Sequence, residues 1–480
     1  MRAVASVACR RSAAWGAILI AACVANSPAR ADDVAPGPAA EALQRPAIGF
    51  NRWQEDWSVL ADPRLRTEPF DNLKYIPLSD SNPLSYASLG ANLRERYESN
   101  NAPSFGIGKQ PSESYLIQRL EVHADVHPNE DWQIFTQLED DHAYNKEPIT
   151  PVDKDELDLE QGFIAHTSDI GDGTLKLRAG RQEFAFDLQR FVSVRDGPNV
   201  RQAYDALWGD WESNPWRIIT FWSHPVQYQS VRPFDDTSNH HLQFGGFRVE
   251  RNDIGPGKLT AYYARYEADG ARFLDATGDE RRDIGDVRYV GALAGFDWDV
   301  EAMGQGGSVG TTRARAWAVG SLAGYTFSRV TWTPRLGLQA DAASGDSHPG
   351  DGTLGTFNPL FPNGYYVTLA GYTGFVNFIH IKPSVTVKPT SKLKVLAAVG
   401  LQWRETTADA VYTQPNIPVA GTAGHGGAWT GAYGQIRADW AVTANVAAAV
   451  EAVHFEVGDA IHRAGGHDSD YLGVELRLGW

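Results

Sequence analysis

The final ten residues of the chain, Tyr471–Trp480, constrain its fold more than any other stretch. Every second position from residue 472 carries a large apolar side chain: Leu472, Val474, Leu476, Leu478 and Trp480. The positions between them carry only glycine or a charged residue. Side chains in a β-strand point alternately to opposite faces of the sheet. The segment therefore predicts a strand with one apolar face and one small or charged face.

The same alternation recurs in residues 87–98, 120–126, 332–341, 393–404 and 435–440. A soluble β-sandwich also alternates, but it buries its apolar face and does not sustain the pattern through so many strands. A helical membrane protein needs long apolar runs, and the negative mean hydropathy of −0.35 argues against one. We therefore predict an all-β fold, a transmembrane antiparallel up-and-down β-barrel whose apolar side chains face lipid and whose charged side chains face inward.

The number of strands can be estimated from the same pattern. Between Ser85 and Trp480, about nineteen segments have the composition of a strand, whereas a single-chain barrel with both ends in the periplasm has an even number. The weakest segment, residues 365–377, breaks the alternation and follows a stretch rich in glycine and proline. We assign it to a long loop, which leaves about eighteen strands, enough to enclose an aqueous channel.

The amino terminus has the pattern of a secretory signal peptide, which we place at residues 1–31. Arginines precede a short apolar stretch, Ala13–Val24, and the sequence Ala29-Arg30-Ala31 predicts cleavage near Ala31. A lipoprotein site ending at Cys23 is the alternative. After cleavage near Ala31 both cysteines of the chain, Cys9 and Cys23, are lost with the leader, so no thiol chemistry remains.

The rest of the chain divides into two predicted parts. Residues 32–81 form an N-terminal periplasmic or lumenal segment, which either partly closes the barrel or is a flexible arm, and residues 82–480 form the barrel. Insertions rich in glycine and proline are predicted to be extracellular loops, because the periplasmic turns of such barrels are short. These insertions lie around residues 270–283, 344–364 and 407–428.

Short motifs are more specific than the strand pattern. The strongest stretch runs from Gly180-Arg181-Gln182-Glu183 through Val194–Arg201 to Tyr204-Asp205, and Phe357–Pro362 fits the same pattern. These motifs resemble the alginate export family of outer-membrane porins, over nearly all of residues 50–480. The resemblance implies a barrel of about eighteen strands in the outer membrane of a Gram-negative bacterium, conducting a negatively charged polyuronate. It implies a channel rather than an enzyme, with no cofactor.

The residues expected to touch such a permeant are mainly arginines. A polyuronate carries one carboxylate per sugar, and guanidinium groups can replace the water that each carboxylate loses in a narrow pore. The predicted pore-lining residues lie on inward faces or in the motif loop, which is expected to fold into the lumen: Arg94, Arg96, Arg119, Arg178, Arg181, Arg190, Arg195, Asn199, Arg201, Asp205, Arg335, Arg404 and Arg437. The alternative is that inward arginines and acids pair with one another across neighbouring strands.

Arg181 does not fit the alternation. It shares its parity with Leu175 and Leu177, which predicts that its side chain faces outward. Either a β-bulge turns it inward, or it lies beyond the hydrocarbon layer.

Two other functions remain open at the level of sequence. The barrel could take up another small or hydrophobic solute, with its arginines serving a structural role. An outer-membrane hydrolase is the less favoured alternative, because neither Ser193 nor His123 lies within a nucleophile motif.

The predicted partners follow from the same arguments. They are an anionic polysaccharide or small anion, outer-membrane lipid, the barrel-assembly machinery acting on the terminal aromatic Trp480, and a periplasmic export complex. The net charge of −16 argues against nucleic acid, and we expect a monomer. No metal site is predicted, because His240 and His241 lack a ligand framework. Ser344–Gly352 is the best candidate for an ion-stabilised loop.

Overall fold

The computed structural model describes residues 45–108 and 111–480, so the predicted signal peptide and the first residues of the segment 32–81 lie outside the described residues. Eighteen long antiparallel strands dominate the fold. They are β1 (Tyr86–Asn100), β2 (Glu113–His127), β3 (Trp132–Tyr144), β4 (Asp155–Ile170), β5 (Gly173–Gln182), β6 (Tyr204–Ser213), β7 (Trp216–Gln227), β8 (Leu242–Ile254), β9 (Gly257–Arg272), β10 (Thr277–Leu293), β11 (Phe296–Val309), β12 (Thr312–Thr326), β13 (Arg335–Ala343), β14 (Phe378–Thr390), β15 (Leu393–Trp403), β16 (Trp429–Ala441), β17 (Val446–Val457) and β18 (Ser469–Gly479).

The sheet formed by these strands is closed. Each strand pairs with the next along the chain, and β1 also pairs with β18, where Tyr97 lies opposite Val474. The closure confirms the predicted barrel and its strand number. Residues 365–377, which the sequence assigns to a loop, form no strand and belong to the long connection between β13 and β14.

Burial along the strands confirms the two predicted faces. In β18, Leu472 and Val474 are 42% and 41% exposed, whereas Tyr471 and Glu475 on either side of the pair are buried. Apolar side chains on the outside suit contact with lipid tails, and charged side chains on the inside suit a lumen.

The two ends of the barrel differ in the length of their connections. One end carries short turns, such as the turn between β8 and β9, where glycine allows Gly255 to adopt a φ of 57°. The other end carries the long connections 183–203, 344–377 and 404–428. Because extracellular loops are long and periplasmic turns are short, we call these the periplasmic and extracellular ends.

One predicted loop is wrong. Residues 270–283 are mostly strand, because β9 and β10 stay paired up to Arg272 opposite Thr277 and leave only residues 273–276 as the turn. The glycine and aspartate content of this segment reflects a hairpin that extends past the membrane, with a register shift at Ala268, rather than an irregular loop. The predicted loops at 344–364 and 407–428 do lie in long connections.

Two of the long connections fold into the barrel. We call residues 183–203 inner loop 1 and residues 344–377 inner loop 2. They meet where the backbone N–H of Ser193 donates to the carbonyl oxygen of Phe361 at 2.9 Å. Aromatic side chains from both loops pack against inward side chains of the wall in a buried cluster that includes Phe184, Phe186, Phe191, Tyr204, Phe221, Phe244, Tyr262, Phe357, Phe361, Tyr366 and Phe375. The interior is therefore partly filled.

The remaining elements are short. The 3-10 helices are Arg52–Gln54, Ser58–Ala61, Pro63–Leu65 and Pro103–Gly106, and the α-helices are Asp71–Lys74 and Asp459–Arg463. The two-residue strands are Ile76–Pro77, Thr237–Ser238, Thr353–Leu354, Tyr412–Thr413 and Ile417–Pro418. Within residues 45–108 and 111–480, no helix is long and apolar enough to cross a membrane.

The residues before β1 pack against the periplasmic end of the barrel. The Arg52 guanidinium donates to the carbonyl oxygen of Trp480 at 2.7 Å. Trp53 packs edge-on against Phe163 of the wall, with ring centroids 5.9 Å apart. Phe50 lies under the Arg201 guanidinium, 4.0 Å from the ring centroid to Cζ. This segment therefore reaches the inner surface of the barrel.

Candidate functional site

Inner loop 1 is held to the barrel wall by arginines of β1 and β2. Arg94 donates to the carbonyl oxygens of Gly197 and Pro198 at 3.2 and 3.1 Å. Arg119 donates to the carbonyl oxygen of Asn199 at 2.7 Å. The Asn199 side-chain amide donates in turn to carbonyl oxygens of Gln118, His142 and Asp153. Three of the predicted pore-lining residues thus hold the loop in position.

Arg96 and Arg437 share a buried acidic network near the seam where β1 meets β18. Arg96 pairs with Glu475 at 3.2 Å and also with Glu98 and Glu451. Arg437 pairs with Glu451 as well. Since each guanidinium is matched by carboxylates, this part of the wall carries no excess positive charge.

Two arginines of inner loop 1 are paired just as fully. Each pairs with two buried carboxylates: Arg190 with Asp299 at 2.8 Å and Glu301 at 2.6 Å, and Arg201 with Glu121 at 3.0 Å and with Glu183. A buried ion pair of this kind is costly to break, because the remaining charge is left without water or a partner.

Inner loop 1 also brings an acid into the lumen. Asp196 pairs with Arg119 at 2.7 Å and with Arg477 at 2.8 Å. Burial alone would raise the pKa of the Asp196 carboxyl, but the charges of Arg477 and Arg119 outweigh burial and hold that pKa well below its usual range. The carboxylate therefore stays ionised and neutralises the cations around it.

Three further predicted residues have other structural contacts. Arg335 pairs with Asp297 at 2.9 Å. The Arg178 guanidinium lies 4.3 Å from the ring centroid of Trp53, a cation–π contact. We call residues 404–428 the rim loop. Arg404 donates to six carbonyl oxygens of this loop, those of Thr407, Asp409, Thr422, His425, Gly426 and Gly427. Arg404 therefore organises the rim loop rather than facing the lumen.

Arg181 and Asp205 lie on the outward face. They are register partners of each other and share the face of Leu177 and Leu207, which are 50% and 58% exposed. The Arg181 Nε lies 3.0 Å from the Asp205 Oδ1. Arg181 also donates to the carbonyl oxygen of Asp236 in an extracellular connection at 3.5 Å. The structure excludes the predicted bulge at Arg181, because the register of β5 runs unbroken on both sides up to this residue, one position before the strand ends at Gln182.

Arg195 differs from the other arginines of inner loop 1. Its guanidinium donates to the Gln202 Oε1 at 3.3 Å and lies 5.7 Å from the ring centroid of Phe361. Within residues 45–108 and 111–480, no carboxylate pairs with it, and its buried Nε has no hydrogen-bond partner. Arg195 is thus a half-buried cation inside the barrel with donor capacity to spare.

The surroundings of Arg195 are suited to an anion. The Tyr204 hydroxyl is buried and has no hydrogen-bond partner in the described part of the chain, and its ring lies 5.3 Å from the ring of Phe361, which the Arg195 guanidinium also contacts. Arg195 itself has a φ of 52°, held by the Ser193 Oγ that accepts its backbone N–H at 3.1 Å. Such a conformation costs about 1–3 kcal/mol for a residue other than glycine and is typical of functional sites.

Reasoning from charge alone misses three neighbours of Arg195: Gln202, Tyr204 and Phe361. A signal for two of them was present in the sequence, since Tyr204 and Phe361 lie in the motifs that carry the family resemblance. The third, Gln202, stands next to the motif that ends at Arg201.

Comparison with known proteins agrees with this architecture. The sequence model of a family described as alginate export matches residues 85–475. Among curated proteins, none matches this sequence. The family and the fold are those of channels.

Solved structures of outer-membrane porins share the fold. Acinetobacter baumannii OccAB1 aligns with a TM-score of 0.56 at 10% identity, over 85% of this chain and 99% of that chain. Pseudomonas aeruginosa OccK2 (OpdF) in complex with glucuronate aligns with a TM-score of 0.52 at 10% identity, over 82% of this chain and 96% of that chain. Pseudomonas aeruginosa OccK10 (OpdN) has a TM-score of 0.52 at 12% identity, over 82% and 99% of the two chains. At these identities the likeness concerns the fold.

Proposed function

Because the chain belongs to the alginate export family of outer-membrane porins, we propose that it is a channel for anionic carbohydrates, a uronate or a short chain of uronates, that bind weakly at Arg195. The observation that carries the proposal is the Arg195 guanidinium, which lies inside the barrel without a carboxylate partner in the described part of the chain and shares the Phe361 ring with Tyr204, whose hydroxyl has no partner there either. Planar guanidinium groups match carboxylates well and remain charged at any physiological pH.

The carboxylate pairing of most other predicted arginines supports a weak site at Arg195 rather than a continuous ladder. Arg96, Arg190 and Arg201 each have carboxylate partners, so their charge is already compensated. Conduction requires a site that binds well enough to attract the solute and weakly enough to release it. One unpaired arginine stacked on Phe361 meets that requirement for a small sugar acid.

The solute class also has support from a structural neighbour. OccK2 was solved in complex with glucuronate, a sugar acid with one carboxylate. A uronate monomer presents the same carboxylate as each repeat of a polyuronate. We therefore extend the proposal from the monomer to short oligomers.

The segment 32–81 is, in this proposal, a periplasmic gate. Its described part brings Phe50 under Arg201 and Trp53 against Arg178 and Phe163. These aromatic contacts would narrow the periplasmic half of the lumen until the segment moves.

The proposed partners follow from the barrel surface and its ends. The apolar outer face would contact outer-membrane lipid, and the terminal residue Trp480 would be recognised by the barrel-assembly machinery. Directional export of a polymer would require a periplasmic export complex, because an open channel passes solute both ways. We propose that the channel works as a monomer.

A second candidate is uptake of an uncharged or hydrophobic solute. It is favoured by the balanced charges of the wall and by the aromatic cluster that includes Phe191, Tyr204 and Phe361. In that case Arg195 would orient a loop and would not contact the solute.

Single-channel recording in a planar bilayer tests the proposal. Glucuronate should block the current through the wild-type channel, and Arg195→Gln should weaken the block about tenfold, since a charge-assisted hydrogen bond contributes about 1.5–3 kcal/mol. Arg251→Gln is the matched control, because Arg251 is exposed at a periplasmic turn and paired with Asp253. An unchanged block in Arg195→Gln would contradict the site, and conductance without any block would favour the second candidate.

A further inference from the structure

One patch of the outer wall is polar where the wall below it is apolar. It lies at the extracellular end of β11 and β12 and forms an open groove of about 570 Å³ lined by residues 304–307 and 313–316. Arg313 and Arg315 point outward here, because Ala314 and Ala316 between and beside them are buried inside the barrel.

Glycines form the floor of the groove and the wall beside it. Gly285, Gly304 and Gly306 have no neighbouring atom within 4 Å of the position that a Cβ would take, so each leaves open space on the outer surface. The strand register sets Gly285 beside Gly304, and Gly306 beside Arg315. The three glycines therefore form a continuous trough that runs down the wall from the two arginines.

The two arginines differ from other outward arginines nearby. Arg265 pairs with Asp283 at 2.6 Å, and Arg281 pairs with Glu267 at 3.3 Å. In the described part of the chain, Arg313 and Arg315 have neither an ion pair nor a side-chain hydrogen bond. Two unpaired positive charges thus stand side by side on the surface that faces the membrane.

Their depth corresponds to the layer of lipid headgroups. Trp317, two residues below Arg315 on the same face, is 43% exposed, and aromatic residues mark the membrane interface in such barrels. The next outward row contains Val287 and Val319, which are 52% and 38% exposed and suit contact with acyl chains. An unpaired arginine in lipid is costly unless an anion compensates it, and phosphate matches the guanidinium fork.

We propose that this groove binds a phosphorylated glycolipid of the outer leaflet. Arg313 and Arg315 bind its phosphate, and an acyl chain lies in the trough of Gly285, Gly304 and Gly306, against Trp317. In such a lipid the phosphate stands above the acyl chain. The wall has the same order, with two unpaired cations above the trough and an exposed apolar row below it.

Native mass spectrometry of the full-length protein in detergent, titrated with lipid A, tests the proposal. The double variant Arg313→Gln with Arg315→Gln should bind lipid A at least about tenfold more weakly, equivalent to about 1.4 kcal/mol, because it loses the charge-assisted bonds to phosphate. The matched control, Arg251→Gln with Arg329→Gln, removes one partly exposed and one exposed arginine at the periplasmic end and should bind like the wild type. Dephosphorylated lipid A should bind the wild type as weakly as lipid A binds the double variant.

A second variant tests the trough while keeping both arginines. Gly304→Leu with Gly306→Leu fills the groove without a backbone conflict, because nothing lies near either Cβ position, and it should also weaken lipid A binding. Equal binding by wild type and both double variants would overturn the proposal. A lipid-free wild-type dimer that dissociates in the arginine variant would also overturn the proposal. The groove would then be an interface between two copies of this chain.

This proposal is independent of the solute channel. Glucuronate block should be unchanged in Arg313→Gln with Arg315→Gln, because both side chains lie outside the barrel.

Discussion

Arg201 and Arg195 come from the same loop, six positions apart in sequence, and have opposite surroundings. Arg201 is buried between Glu121 and Glu183 and lies over Phe50. Arg195 has no carboxylate partner in the described part of the chain and donates to the neutral Gln202 Oε1 at 3.3 Å. The difference indicates that an arginine in a lumenal loop can stabilise the loop or face a solute, and that only its partners distinguish the two roles.

The largest expected effect is a loss of stability in Arg201→Ala. Removing this guanidinium leaves Glu121 and Glu183 buried without compensation, so the free energy of unfolding should fall by about 3–5 kcal/mol. Denaturant unfolding in detergent micelles measures it.

The matched variant for that measurement is Arg195→Ala, which should lower the free energy of unfolding by less than about 1 kcal/mol, because no ion pair is lost. Equal losses in the two variants would remove the distinction between the two arginines.

The second prediction concerns Arg404, the most fully bonded arginine of the predicted set. An ammonium has three donors on one point charge and cannot replace a planar fork that serves six carbonyl oxygens. Arg404→Lys should therefore loosen the rim loop and raise its rate of cleavage by a protease about tenfold, equivalent to about 1.4 kcal/mol. Limited proteolysis followed by mass spectrometry locates the cuts.

Arg463→Lys is the control for that experiment. Arg463 is exposed outside the rim loop and pairs only with Asp459, so its replacement should leave the digestion pattern unchanged. Cleavage of the rim loop at wild-type rate in Arg404→Lys would mean that the loop does not depend on this guanidinium.

The alternation of apolar and charged residues predicted the barrel and its strand number, because the side-chain period of a strand is a local property. The same rule failed at Arg404. By parity it continues the inward face of β15, but the strand ends at Trp403 and the side chain binds its own loop. Partners drawn from distant segments, such as Glu121 for Arg201, depend on how inner loop 1 folds back into the barrel, and no local pattern encodes that path.

Lys74, in the segment before β1, is a buried amine without a hydrogen-bond partner in the described part of the chain. Burial lowers the pKa of Lys74 to about 7, with a further contribution from the charge of Arg52. The folded state therefore favours the neutral amine, while the unfolded chain keeps the ordinary pKa near 10.5. The stability of the docked segment should rise as pH increases from about 7 to 10, by on the order of 1–2 kcal/mol.

Unfolding free energies at pH 7.5 and 9.5, compared between wild type and Lys74→Met, isolate that contribution. The wild type should gain stability relative to the variant at the higher pH. A constant difference between the two proteins would show that the amine is solvated in the folded state.

The smallest expected effect is that of Tyr204→Phe, which tests whether Arg195, unlike Arg201, faces a solute. The Tyr204 hydroxyl has no hydrogen-bond partner in the described part of the chain, so Tyr204→Phe should not lower stability. If the hydroxyl and Arg195 bind the same carboxylate, the variant should weaken glucuronate block about three- to tenfold, as expected for one hydrogen bond of about 0.5–1.5 kcal/mol. Tyr325→Phe, at the periplasmic end of β12, is the control.

In the double variant Tyr204→Phe with Arg195→Gln, the two losses of glucuronate block should not add, because residues that hold one ligand group are energetically coupled. Additive losses would mean that Tyr204 and Arg195 act on the solute at separate positions.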